Sequence, residues 1–206
     1  MTSSGAPTEP ADFRAAVASL HAARIRPEIE VGPIRPPQRL APYSYAVGAE
    51  VRAGGDDPDE IPVDSTGSSF GRLIVLYDPA GQEAWNGTMR MVAFIQAEVE
   101  AALAMDPLLP EVAWSWLSDA LGVPAGETAA GPSGPISVTA LGGTVTSTTS
   151  VRYGDIAGPP RAHQLELRAS WTAGGTELGG HLEAFCDVLS SASGLPPVGV
   201  TELGPA

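Results

Sequence analysis

The chain has 206 residues, 43% of them hydrophobic, which suits one compact domain able to bury roughly 70% of its unfolded surface. Its formal net charge is −13 and it has no lysine, all eleven cations being arginine; that excludes a P-loop, a Schiff-base lysine and a Ser-Lys dyad. The single cysteine, Cys186, excludes an internal disulfide and any multi-cysteine metal site.

Residues 1–10 read as a small, polar tail without fixed structure, and 198–206 as its C-terminal counterpart, leaving 11–197 as a single domain. From Pro10 to Arg24 a helix is predicted, because Phe13, Val17, Leu20 and Ala23 fall on one stripe. It stops before Pro27, since the residue ahead of a proline avoids the α region. Glu28–Val31 alternates as a short strand. The following Gly32–Pro42 is too rich in proline to sit inside a sheet and is expected to run extended along an edge or over the surface. Tyr43, Tyr45, Val47, Ala49 and Val51 alternate with smaller or polar residues, a half-buried strand. The segment 53–69, with Asp56-Asp57-Pro58-Asp59-Glu60, reads as a mobile acidic loop.

The apolar run Leu73–Tyr77 reads as a strand buried on both faces that enters a turn at Asp78-Pro79-Ala80-Gly81. Periodicity alone leaves Gly87–Val99 open between strand and buried helix. The turn signal Asn86-Gly87, and the need for a hairpin partner to 73–77, make it a strand through Ala97. Helical material begins near Glu98, with starts at Asp106-Pro107 and Pro110-Glu111, and ends at Gly122. Beyond the loop 123–135, Ile136 and Val138 alternate toward a tight turn at Gly142-Gly143, and Thr144–Tyr153 suits a strand with one wet face. His163, Leu165, Leu167, Ala169 and Trp171 form one face of the clearest strand in the chain, antiparallel to its predecessor across a short connection. A last helix, about Glu177–Ser193, carries Leu182, Phe185, Cys186 and Leu189 on one stripe. The fold class is therefore α+β: a mostly antiparallel sheet of six to seven strands with helices packed on it. Hairpin 71–97 with its helices and hairpin 143–171 with its helix have the outline of two related halves, without visible sequence identity.

Several phrases are those of a known family: Arg26-Pro27-Glu28-Ile29-Glu30, Arg35-Pro36-Pro37-Gln38-Arg39-Leu40-Ala41-Pro42, Asp78-Pro79-Ala80-Gly81, Asp106-Pro107-Leu108-Leu109-Pro110-Glu111-Val112 with Trp114-Ser115-Trp116-Leu117, Leu167-Arg168-Ala169-Ser170-Trp171, and Ala192-Ser193-Gly194-Leu195-Pro196-Pro197. Over residues 11–197 the chain resembles the actinobacterial DUF3000 family of uncharacterised proteins. The resemblance implies no activity, cofactor or catalytic residue.

The remaining chemistry is narrowed by elimination. No G-x-S-x-G elbow occurs, Ser133 having the wrong spacing. His21, His163 and His181 lie on three elements without metal-ligand spacing; His163 reads as a partly buried strand residue, the other two as helix-surface or helix-end residues. Cys186 reads as a buried, unreactive thiol. Acids around the helix starts, Glu111 among them, are most simply dipole partners and caps, although a carboxylate pair there can also do acid/base work. No cofactor or metal is called for.

Two features exceed structural need. Arg24, Arg26, Arg35 and Arg39 sit among prolines that stiffen the backbone, so they either clamp a carboxylate or phosphate or pair with acids of the body such as those in 98–111. Trp85 lies in a turn region, and Trp114 and Trp116 are two apart on a helix, about 200° around its axis. Both rings are buried only if that helix is covered on two sides; an exposed one is a natural anchor for a partner. Charge is unevenly spread, with five arginines against four acids in 1–45 and six against twenty thereafter. Such a body repels nucleic acid and favours a basic partner. Without a signal peptide or a spanning apolar stretch, the expected location is cytoplasmic, with no membrane association.

The reading that follows is a non-catalytic protein-interaction or regulatory module, with a homodimer as one form of assembly. The first alternative is a ligand-binding protein or enzyme using carboxylates and arginines in a cleft beside the central hairpin. The second is RNA binding through the N-terminal arginines.

Overall fold

The computed structural model describes residues 9–52, 69–123, 136–155 and 161–198. The two expected tails, apart from Glu9, Pro10 and Val198, lie outside the described residues, as do the acidic loop 53–68 and the loop segments 124–135 and 156–160. In chain order the described elements are α1 (Ala11–His21), β1 (Ile29–Pro33), β2 (Tyr43–Val51), β3 (Phe70–Gln82), a 3-10 turn (Glu83–Trp85), β4 (Gly87–Glu98), α2 (Ala101–Ala104), α3 (Leu109–Ala120), β5 (Val138–Val151), β6 (Arg161–Ala173) and α4 (Gly179–Ala192). The strands form one antiparallel sheet in the order β1-β2-β3-β4-β6-β5. This is the α+β architecture that the alternating segments predict. The two hairpins meet through their second strands, β4 and β6.

Alternation sorts each strand into an inner and an outer face. The inner face carries Val47 and Ala49 of β2, Leu73, Val75 and Tyr77 of β3, Met89, Met91, Ala93, Ile95 and Ala97 of β4, and Leu165, Leu167, Ala169 and Trp171 of β6, all buried. Helices α1, α3 and α4 pack on this side: Phe13 of α1 stacks on Tyr77 with ring centroids 5.9 Å apart, and Phe185 of α4 is fully buried. Gly71 makes room for that ring, since a Cβ there would lie 2.5 Å from Phe185 Cζ. Ser19 joins α1 to the start of α4, donating to the Thr176 carbonyl at 2.9 Å and accepting from the Leu178 amide at 2.7 Å.

The indole of Trp171 donates to His181 Nδ1 at 3.0 Å. An indole N–H can only donate, so His181 is the neutral tautomer with its proton on Nε2. Burial pushes its pKa down to about 4. His181 is thus a core residue, 2% exposed, and corrects the helix-surface expectation: the helix turns this position onto the sheet, where an indole supplies the polar partner. His21 does lie exposed at the end of α1, 3.1 Å from the Tyr45 hydroxyl, and His163 is buried on β6 with Thr149 Oγ1 at 2.9 Å.

Three local expectations change. Leu73–Tyr77 is covered on both sides only in part: Leu73, Val75 and Tyr77 are buried on the inner face, and on the outer face Leu76 is buried while Ile74 is half-buried. The hairpin reverses at the 3-10 turn rather than at 78–81, where the register slips between Tyr77 and Gln82. Asp78 holds that irregular stretch, accepting from the Ala80 amide at 3.1 Å and the Gln82 side chain at 3.2 Å. Gly142-Gly143 is no turn: both residues lie inside β5, just past a bulge between Thr139 and Gly142. Gly143 is required by close approach, because a Cβ would meet the Arg168 carbonyl at 2.3 Å and the Trp114 ring at 2.8 Å, whereas Gly142 has open space.

Gly143→Ala is accordingly expected to cost about 1–3 kcal/mol by overpacking and Gly142→Ala to stay within about 0.5 kcal/mol of wild type; equal effects in chemical denaturation would contradict this placement. His181 has a folded-state pKa of about 4 against an ordinary 6.5, so the unfolded chain binds its proton first as pH falls. Its contribution is intact above pH 6.5 and is lost by roughly 3 kcal/mol on going down to pH 4. His181→Asn, which keeps an acceptor for the indole, is expected to flatten that limb of the stability curve; an unchanged slope would refute the assignment.

Candidate interaction surface

The outer face of the sheet is built from the residues that alternation leaves over. Ladder register sets Ala46, Ile74, Val92 and Ser170 side by side across β2, β3, β4 and β6, and next to them Gly48, Arg72, Phe94 and Arg168. Ile74, Val92 and Phe94 are half-buried, and Ala46 and Leu76 on the same face are buried. At one end of the face Phe70 and Phe94 lie with ring centroids 6.0 Å apart. Guanidinium groups cover both rings, Arg72 at 5.9 Å from the centroid of Phe70 and Arg168 at 5.4 Å from that of Phe94, within the range of cation–π attraction. Glu166 fixes Arg168 from below at 2.7 Å and raises its pKa through that hydrogen bond.

Arg90 has a different task. Its guanidinium donates to Ser170 Oγ at 2.7 Å, Thr172 Oγ1 at 3.1 Å and the Ala140 carbonyl in the β5 bulge at 3.0 Å. It therefore ties β4, β6 and β5 together at the other end of the face, and burial lowers its pKa. Two hollows flank the Ile74–Val92 pair. One, of about 510 Å³, is lined by Val92, Phe94, Thr144, Arg168 and Ser170; the other, of about 420 Å³, by Ile34, Arg35, Pro37, Arg72 and Ile74.

The four N-terminal arginines divide. Arg35 reaches the outer face and lines the second hollow together with Arg72. Arg39 is exposed on a backbone with φ of 67°. Arg24 and Arg26 line a separate cleft of about 460 Å³ with Asp187 and Pro196. There Arg26 bonds Glu28 at 3.1 Å and the Pro196 carbonyl at 3.1 Å, which lowers the Glu28 pKa, and the Arg24 amide donates to Glu183 at 2.7 Å. Burial and then Glu183 raise the pKa of Asp187 in the same cleft. Among the described residues none of the four pairs with an acid of 98–111, and the side chains of Arg24, Arg35 and Arg39 make no hydrogen bond or ion pair. The proline-rich segment follows β1 along the β2 edge, the Ile34 amide donating to Ala46 at 2.9 Å.

The tryptophans are spread out. Trp114 and Trp116 are both half-buried against the core, because α3 lies between α4 and β5 and is covered on two sides. Trp85 is half-exposed in the hairpin turn, its carbonyl accepting from the Thr172 hydroxyl. Glu111 is exposed in the first turn of α3, where its charge faces the positive helix end. Sequence reasoning missed Arg72, Phe94 and Arg168. Their signal lies in the polar or charged alternates Arg72, Arg90 and Arg168 of otherwise apolar strands, which become one surface only once strand order is known.

Beside the central hairpin the hollow of about 370 Å³ has one carboxylate in its lining, Asp12, together with Tyr77, Asn86 and several threonines. No group of three or more metal-ligating side chains occurs among the described residues, nor is any described helix long and apolar enough to cross a membrane.

The model of the family described as "Protein of unknown function (DUF3000)" matches residues 9–201. The chain belongs to the DUF3000 family. No curated protein and no solved structure matches it. In this DUF3000 chain the phrases Arg26-Pro27-Glu28 and Leu195-Pro196-Pro197, remote in sequence, close on each other at the Arg26–Pro196 contact.

Cys186 is buried, and burial pushes its pKa up to about 12. Its reaction with a thiol reagent at neutral pH is expected to be slower in the folded DUF3000 chain than in the denatured one by at least about a hundredfold; comparable rates would contradict the burial.

Proposed function

We propose that this protein is a non-catalytic interaction module and that its partner-binding surface is the outer face of the sheet. The observation that carries the reading is the contrast between the two faces: helices cover the inner side, while Ile74, Val92 and Phe94 stay only half-buried on the other, bordered by Arg35, Arg72 and Arg168. A face of this composition, apolar at its centre and arginine-rich at its margin, is typical of protein interaction sites.

The partner it fits is a protein segment that alternates acidic and apolar residues. Around the apolar centre of this face the charged groups are Arg35, Arg72, Arg90 and Arg168, while its acids Glu30, Glu50, Glu98 and Glu166 lie toward the end of the ladder beyond Phe94, in a chain whose net charge is −13. Guanidinium groups set beside phenyl rings can still receive a carboxylate bidentately. Of the groups with the largest pKa shifts, His181 is shifted by burial in the core and Cys186 chiefly by burial, with the charges of Asp187 and Glu183 adding to it, which favours binding over catalysis.

Charge reversal tests the proposal. Arg72→Glu with Arg168→Glu changes two exposed side chains and leaves the core intact. A labelled peptide of alternating glutamate and leucine is expected to bind the wild type with an affinity that falls as salt is raised, and to lose at least about tenfold on reversal. Equal affinity for both proteins would contradict the reading, as would tighter binding of a single-stranded oligonucleotide than of the peptide.

A further inference from the structure

The sheet ends in two very different edges. β1 is five residues long, includes Glu30 and Pro33, and runs directly into the proline-rich segment. Short length, charge and proline are the usual devices that stop an edge strand from recruiting another strand. β5 has none of them. Its fourteen residues contain no charged side chain and no proline, and seven are serine or threonine. Among the described residues it pairs only with β6. Beyond the bulge, Gly142–Val151 keeps unbroken register with β6, so the strand offers a regular ladder of donors and acceptors on its free side.

A second observation points to the same place. Among the described residues nine large apolar side chains are exposed, and six of them are Leu103, Met105, Leu108, Val112, Val151 and Tyr153. The first four lie on α2, on the connection to α3 and in the first turn of α3; the last two lie at the end of β5. Both helices pack beside β5, so this patch borders the free edge on the helix side. Scattered exposed apolar residues need no explanation, but four that fall in the α2–α3 region packed beside β5 and two at the end of β5 stand next to an unguarded edge.

We infer that β5 pairs antiparallel with β5 of a second copy of this chain, about a twofold axis passing near Thr146 and Ser147. A strand paired with its own copy in this sense gives an isologous contact that closes at two chains. The absence of charge on β5 lets two strongly acidic molecules approach there, where most of their surface repels. The pairing extends the sheet through the dimer and sets the two helix layers side by side, so that the apolar groups bordering the edge lose contact with water. The outer face with Phe94 and Arg168 continues across both copies, so this contact is separate from the partner surface proposed above.

Light scattering and sedimentation on the full chain test the inference. The wild type is expected to be a dimer. Thr146→Lys with Thr148→Lys, both exposed, sets like charges against each other across the axis, and is expected to raise the dimer dissociation constant at least about tenfold with an unchanged far-ultraviolet circular dichroism spectrum. Met105→Asp, outside the sheet, is expected to weaken the dimer as well, and decides the matter if the lysine variant folds poorly. Arg72→Glu with Arg168→Glu is expected to leave the dimer intact. A monomeric wild type would overturn the inference, as would a dimer indifferent to both β5-side changes or one broken by the arginine reversal instead.

Discussion

The contact on which the structure depends is the seating of the Phe185 ring against the bare backbone of Gly71. It brings α4 down onto the middle of the sheet at a distance that no side chain on β3 would permit. The Trp171–His181 hydrogen bond fixes where α4 sits along β6, and Ser19 carries the arrangement to α1. With α3 lying against α4 and β5, the apolar side chains of the inner face are enclosed. The helices are thereby committed to one side, and the outer face is left with Ile74, Val92 and Phe94 between its arginines.

That division changes how the charge of the chain bears on its chemistry. A net charge of −13 describes the molecule at distances beyond a Debye length, about 8–10 Å at ordinary ionic strength. A partner at contact meets the local distribution instead. On the outer face three of the arginines come from β3, β4 and β6, strands spread over nearly a hundred residues of sequence, and Arg35 joins them from the segment after β1. Long-range repulsion of acidic molecules and short-range attraction of a carboxylate-bearing segment are thus compatible. Their balance makes binding depend strongly on salt and on the partner's apolar content.

Much of the fold was legible because β2 and β6 alternate, with one face meeting helices and the other not, while the Asn86-Gly87 turn signal and the need for a hairpin partner decided β4, whose period alone did not. The outer face was not read from the sequence, although Arg72, Arg90 and Arg168, charged alternates in otherwise apolar strands, carry its signal. What could not be read was their convergence, since strand order places β6 beside β4 and β5 outermost, and no local signal states that order. Gly142-Gly143 carries a turn signature, yet Gly143 is present because the Trp114 ring and the Arg168 carbonyl crowd it. Asp78-Pro79-Ala80-Gly81 is turn-like in composition but is absorbed as an irregularity within a longer strand. His181 does lie in the first turn of α4, but its burial was not legible, because nothing local reveals an indole donor ten positions earlier on the neighbouring strand. The arginines among prolines left a ligand clamp and internal pairing both open; Arg35 lines a hollow of the outer face, while Arg26 is taken up by Glu28 and Pro196.

The central claim is that, among the described residues, helices roof one side of the sheet and leave the other without a helix. Hydroxyl-radical footprinting read at single-residue resolution tests it most directly, because the four phenylalanines divide two and two between the faces. The account predicts rapid modification of Phe94 and Phe70 beside slow modification of Phe13 and Phe185. Protection of Phe94 equal to that of Phe185 would mean that the outer face is covered, and would contradict it.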